Sequence, residues 1–150
     1  MISLFLASGI RISELVKIKL NDIDLENAVV QITRKNNKED SVPIAKFALP
    51  YLMEYKKKRN TLLSEDDYLF MSLYQGHYSR ITEAAVYCLV TKYSEAFKVK
   101  VSPHTLRHNL ATRLYSKTKS QVLVRHSTSK ATDLYTHIIN TDLKDALNDL

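Results

Sequence analysis

Residues 102–137, SPHTLRHNLATRLYSKTKSQVLVRHSTSKATDLYTH, carry the pattern on which the fold turns. Ser102 is a good N-cap and Pro103 suits the first helical position, where a missing N–H is harmless. Leu106, Leu110 and Leu114 then recur every four residues and form one apolar helical stripe. His104, Arg107 and His108 fall away from that stripe onto a shared polar face. His126 follows, then Tyr135 nine residues later, then Thr136 and His137. Histidines, an arginine and a tyrosine gathered in this way point to chemistry on an anion.

Outward from this stretch, the chain of 150 residues suits one domain, and its 45% hydrophobic content is ample for a core. The net charge of +6 and a pI near 9.3 favour a polyanion partner, nucleic acid ahead of an anionic membrane. No apolar run approaches the ~20 residues that span a bilayer, and the start, MISLFLASGI, has neither the basic region nor the cleavage site of a signal peptide. It reads as a core helix already under way. Cys88 is the single cysteine and has no internal disulfide partner, which fits a reducing cytoplasm. Its spacing with Ile81, Ala84, Ala85 and Leu89 makes it a small core residue rather than a nucleophile.

Before residue 102 the pattern is of helices interrupted by one small sheet. Residues 2–9 end an apolar helix, and Gly9 lets the chain turn. Arg11 precedes a short amphipathic helix through Ser13, Glu14, Leu15 and Ile18. Asn21, Asp22 and Asp24 form a turn, Ala28–Thr33 is a β-branched strand, Lys35-Asn36-Asn37-Lys38 is a tight polar turn, and Ser41–Ile44 is the return strand, with Pro43 marking an edge or a strand end. A helix runs from about Phe47 to Lys58 with Pro50 in its first turn. Its tail, Lys56-Lys57-Lys58-Arg59, is a solvated run that complements the helix dipole before it is a DNA contact. Tyr68-Leu69-Phe70 is the third strand, and Ser79 caps a long helix that reaches Phe97. Asp142–Leu150 is an amphipathic C-terminal helix. The fold class is mainly α with a small antiparallel β-sheet.

Taken together, these residues resemble a known family. Gly9-Ile10-Arg11-Ile12-Ser13-Glu14-Leu15 resembles the first catalytic box of the tyrosine recombinases, the phage integrase family. Thr33 to Glu39, running on to Val42-Pro43, is similar to that family's β-hairpin with its lysine, and His104-Thr105-Leu106-Arg107-His108 to its H-x-x-R box. His126-Ser127 with Tyr135-Thr136-His137 is similar to the last box and its nucleophile. The resemblance covers nearly the whole chain in family order. It implies the catalytic-domain fold of a tyrosine recombinase over residues 1–150, and a site-specific recombinase or integrase acting on double-stranded DNA for integration or excision of a mobile element.

What the resemblance implies chemically is attack by Tyr135 on a phosphodiester to give a 3′-phosphotyrosine link. The link conserves the bond energy for rejoining, so no metal, ATP or other cofactor is implied. A phenol with an ordinary pKa near 10 is a weak nucleophile and needs a proton acceptor and cationic surroundings. On this reading Arg11 and Arg107 clamp the nonbridging oxygens. Lys35 protonates the leaving 5′ oxygen, His104 relays the tyrosine proton and His126 donates to a nonbridging oxygen, while Glu14 and His108 orient the arginines. Arg11, Lys35 and Arg107 are then also DNA contacts. The further implications are a bacterial or phage-derived cytoplasmic protein, no membrane partner, and a tetramer on DNA in which Asp142–Leu150 docks on a neighbouring subunit or folds back on its own domain.

Each assignment has a plainer rival. Arg11 can be a surface arginine paired with Glu14, Lys35 a solvated turn lysine, Arg107 a phosphate contact without chemistry, and Tyr135 one packing tyrosine among nine. His104 and His108 have zinc-ligand spacing, but no obvious third ligand accompanies them. The sequence also departs from the family pattern. It begins just before the first box, which leaves no room for an N-terminal DNA clamp and reads as an N-terminal truncation. Asn36 stands where the hairpin commonly has glycine. Arg125 stands where glycine would end a helix, and the interval before His126 is short by about four residues, or ~6 Å of helix. These departures set a folded remnant that binds DNA without cleaving it against an active recombinase domain, and the short interval and missing clamp favour the remnant for this particular chain. A basic helical nucleic-acid-binding module without chemistry is the reading furthest from these motifs.

Overall fold

The computed structural model describes residues 1–34, 37–62, 66–96, 101–107 and 110. Its first helix, α1 (Ile2–Ser8), buries Leu4, Phe5 and Ala7 and ends at Gly9. Gly9 has a left-handed φ of 63° and donates its N–H to the Phe5 carbonyl. A Cβ at Gly9 would lie 3.0 Å from a δ-methyl of Leu110, so both conformation and space call for glycine here. Arg11, in extended conformation, starts α2 (Ile12–Leu15), which ends sooner than the expected helix because the chain bends so that Ile18 is buried beyond it.

A three-stranded antiparallel sheet follows, in the order β1 (Ile23–Asp24), β2 (Val29–Thr33), β3 (Glu39–Pro43). The register pairs Val30 with Val42 and Ile32 with Asp40. Val30 and Ile32 turn into the core while Gln31 and Thr33 stay exposed, the two-residue alternation expected of a half-buried strand. Pro43 ends β3, which is an edge strand, as its missing N–H requires. The connection from β1 to β2 is set by Asp24, whose carboxylate accepts from the N–H groups of Glu26 and Asn27 at 3.0 and 2.9 Å. The Asn27 hydrogen bonds hold that carboxyl below its usual range.

Four expectations are corrected at this level. Tyr68-Leu69-Phe70 is not the third strand. Leu69 and Phe70 are both buried, which an alternating strand would not allow. Tyr68 makes only an isolated bridge to Lys19, and the Leu69 N–H donates to the Ile18 carbonyl at 2.7 Å. The next two strands, β4 (Met71–Tyr74) and β5 (His77–Arg80), form a separate hairpin with Gln75 and Gly76 both at positive φ. Ser79 lies within β5, so the following helix, α4 (Glu83–Ala96), is capped instead by Thr82, whose hydroxyl accepts from the Ala85 N–H. Cys88 is exposed; the buried stripe of α4 is Val86 and Val90, continuing from Ile81.

Arg59, expected in a solvated run, is buried at the end of its helix. A 3₁₀ turn (Lys46–Ala48) leads into α3 (Leu49–Asn60), with Pro50 in its first turn as expected. Lys57 and Lys58 are exposed, and Lys58 pairs with Glu54 at 2.7 Å. Lys56 is half-buried and donates to the Ile23 carbonyl. Arg59, however, is only 3% exposed and donates Nε to the Tyr68 carbonyl at 2.9 Å and Nη2 to the Asp66 carbonyl. It ties the end of α3 to the strap that bridges Lys19. Arg59→Met keeps the bulk but leaves two carbonyls without these donors, so it is expected to cost about 2–3 kcal/mol and lower the thermal midpoint by several degrees. An unchanged melting curve would show the two bonds to be dispensable. Among the described residues no helix is long and apolar enough to cross a membrane.

Candidate active site

The short helix α2 is the hub of the site. It packs against β2, which leads into the turn containing Lys35, and against α4, which leads to residues 101–107. Arg11 stands at its N-cap, and Glu14 one turn later holds Arg11 at two points. The Arg11 peptide N–H donates to Glu14 Oε2 at 2.6 Å, and Nη1 of its guanidinium donates to Oε1 at 3.0 Å. Glu14 is 6% exposed and the Arg11 side chain 43%. The pairing anticipated as the plain rival is therefore present, but it is not a loose surface pair. A buried carboxylate at a helix start fixes the backbone and the head group of Arg11 together.

The second box is built as its sequence foretold. Residues 103–107 are helical, and the Ser102 hydroxyl accepts from the Thr105 N–H at 3.2 Å. The Leu106 N–H donates to the Ser102 carbonyl at 3.0 Å. Leu106 and Leu110 pack on the core, leaving His104 exposed and Arg107 half-buried. Ser94, near the end of α4, accepts from the Val101 N–H at 3.1 Å and so anchors the approach to this turn. The Leu110 methyl sits at Gly9, so the segment three residues beyond Arg107 meets the chain two residues before Arg11. Glycine at position 9 thus serves two boxes distant in sequence.

The Arg34 N–H donates to the Lys38 carbonyl at 2.7 Å, and Asn37 takes the left-handed conformation at φ 57°. Lys35, Asn36, His108, Leu114, His126, Tyr135 and the 142–150 segment lie outside the described residues. Arg34 and Asp40 drew no attention in the sequence, yet Arg34 Nη2 lies 2.5 Å from Asp40 Oδ2. The signal for them is a carboxylate at an inward position of a strand, opposite the buried Ile32. No cluster of three His, Cys, Asp or Glu able to hold a metal ion occurs among the described residues.

Comparison with known proteins identifies the family. The model of the phage integrase family matches residues 1–141. The tyrosine recombinase XerS of Streptococcus gordonii is 51% identical over 156 aligned residues, covering 99% of this chain and 44% of that protein, and XerS of Streptococcus agalactiae is equally similar. The chain thus spans less than half the length of these relatives. Among solved structures, the XerA recombinase superposes with a TM-score of 0.74 at 22% identity, over 99% of this chain and 56% of that one. The XerH site-specific recombinase, bound to its difH substrate in a pre-cleavage complex, superposes with a TM-score of 0.72 at 27% identity, over 97% of this chain and 44% of that one. With the family model matching residues 1–141 and relatives 51% identical over nearly all of its length, this chain belongs to the phage integrase family, the tyrosine recombinases.

Proposed function

We propose that residues 1–150 act as the catalytic domain of a site-specific DNA recombinase that cuts and rejoins double-stranded DNA through a 3′-phosphotyrosine link. The observation that carries this reading is the double hold of buried Glu14 on Arg11, with Leu110, three residues beyond Arg107, seated at Gly9. A phosphodiester under attack gathers negative charge on its nonbridging oxygens. Two guanidiniums, Arg11 and Arg107, meet that charge with fixed donors. Tyr135 supplies the nucleophilic oxygen, His104 takes or relays its proton, His126 donates to a nonbridging oxygen and Lys35 protonates the leaving 5′ oxygen. Glu14 and His108 orient the arginines.

The biological setting we assign is integration or excision of a mobile element in a bacterial cytoplasm, by a tetramer on DNA with the 142–150 segment docked on a neighbouring subunit. The relatives' names support recombination, and one similar structure is an integrase of mycobacterium phage Brujita. The short interval before His126, with Arg125 in place of glycine, supports a second reading, a remnant that binds DNA without cleaving it.

Covalent trapping separates the two readings. The 150-residue chain is incubated with a nicked duplex bearing the recombination site of the Streptococcus gordonii relative, and protein–DNA adducts are resolved on a denaturing gel. A Tyr135-dependent adduct is the expected result. Its absence, from a folded chain on DNA that the relative cleaves, would establish the remnant. Binding itself is expected to be weak and salt-sensitive, with log affinity falling by about 0.9 per decade of salt for each phosphate neutralised. Tight binding that ignores added salt would contradict a phosphate-clamping site.

A further inference from the structure

The β2–β3 hairpin carries charge where its alternation calls for apolar residues. The inward positions of β2 are Val30 and Ile32; across from them stand Val42 and Asp40. The next inward position beyond Ile32 is Arg34. Its Nε and Nη2 both reach Oδ2 of Asp40 at 2.5 Å, and the two side chains are only 13% and 21% exposed. The Arg34 N–H to Lys38 carbonyl bond closes the same rung. A sheltered ion pair and a backbone bond therefore lock the base of the turn in which Lys35 follows Arg34.

An exposed pair would contribute little, but a sheltered one is costly to break, because the remaining charge is left without its partner in a half-dry position. Such a lock has a use in this turn. A lysine that hands a proton to a leaving oxygen must come within about 2.6–3.2 Å of it. Carried on a four-carbon stem in a polar turn, it depends on the backbone for its aim, and a misplacement of about 1 Å can cost ~10²-fold in rate.

We propose that Arg34 and Asp40 are positioning residues for protonation of the leaving 5′ oxygen, acting by fixing the hairpin leg from which Lys35 is presented. This rests on the proposed role of Lys35. In the step concerned, the Tyr135 oxygen bonds to phosphorus as its proton passes to His104, the bond from phosphorus to the 5′ oxygen breaks, and the proton from Lys35 goes to that oxygen.

The test replaces the 5′ bridging oxygen with sulfur. The bond then broken is P–S, and the thiolate leaves without a proton, because a thiol has a pKa of only about 8.5. On the ordinary duplex, Asp40→Asn is expected to slow adduct formation about tenfold through lost positioning, and Lys35→Ala by about 10²-fold or more through lost acid catalysis. On the sulfur duplex both variants are expected to match the native chain. Arg34→Asp combined with Asp40→Arg rebuilds the pair with its charges exchanged and is expected to regain most of the ordinary rate; it carries the test should Asp40→Asn unfold in a thermal melt. Asp40→Asn slowing both duplexes alike would overturn the proposal, since the pair then serves only the fold. An unchanged ordinary rate would overturn it too. If sulfur rescues Asp40→Asn but not Lys35→Ala, the role given to Lys35 is wrong and the proposal falls with it. A native chain that cleaves neither duplex, on DNA the Streptococcus gordonii relative cleaves, removes the strand-transfer reading itself.

Discussion

Replacing Tyr135 with phenylalanine is expected to abolish the covalent protein–DNA adduct and leave DNA affinity within about twofold, since one uncharged hydroxyl adds little to a phosphate-dominated contact. The reason is chemical rather than structural. Without the hydroxyl no oxygen is available to bond the phosphorus, and no amount of clamping by Arg11 and Arg107 replaces it. The change removes a single atom from an aromatic ring, so the effect on stability is small unless the hydroxyl is buried. The expectation is sharp because the chain has nine tyrosines, and Tyr51, Tyr74, Tyr87 and Tyr93 are more than half exposed on the described surface. If one of these were the nucleophile, an adduct would persist in the Tyr135→Phe chain, and peptide mapping of the trapped DNA would identify it. Parallel measurement by gel shift separates the outcomes. Lost adduct with intact binding assigns Tyr135 to the bond-forming step, whereas loss of both would indicate a folding defect.

How far the sequence led depended on whether a local pattern coincided with a tertiary demand. Ser102-Pro103 and the leucines after it obey helix rules that need no neighbour, and the structure has that helix start with Leu106 and Leu110 on the core. Val29 to Thr33 alternates cleanly and became β2. Misreadings came where residues answer to distant partners. Arg59 ends a lysine-rich run and looks like one more solvated cation, yet two carbonyls from the 66–68 strap draw it inside. Leu69 and Phe70 have strand composition, but both are buried and the chain pairs at only one point. Cys88 has the spacing of a core residue on one choice of helix face, and the core took the face of Val86 and Val90 instead. In the site, the residue types of Arg11, Glu14, His104 and Arg107 were readable from sequence. The double hold of Glu14 and the seating of Leu110 on Gly9 were not, because each is a contact whose geometry only folding sets. Arg34 and Asp40 were missed for the same reason: a pair across a hairpin shows only once the register is known.

Arg11→Lys is the second large effect expected, and it separates clamping from mere charge. The peptide N–H of residue 11 donates to Glu14 Oε2 whatever side chain it carries, so the N-cap and the start of α2 should survive. What is lost is the guanidinium fork, whose Nη1 is held by Glu14 Oε1 at 3.0 Å. Lysine keeps the positive charge but offers it as a compact, strongly hydrated point on a flexible stem, with no fixed second donor for a phosphate oxygen. Affinity for DNA depends chiefly on the charge and should change little. The transition state depends on donors already aimed at the oxygens as charge develops there, and losing one such donor costs ~10²–10³-fold in rate. Single-turnover adduct formation at saturating protein is therefore expected to fall by about that factor, with the salt slope of binding unchanged. Glu14→Gln makes the complementary change. Its amide has one acceptor oxygen where the carboxylate has two, so the peptide and the guanidinium compete for it, and a slower rate with Arg11 still in place is expected. A native rate in Arg11→Lys would make Arg11 a tethering cation and leave Arg107 as the arginine that meets the transition state. A slow rate in both variants would mean that the buried glutamate acts on the reaction through the aim of Arg11.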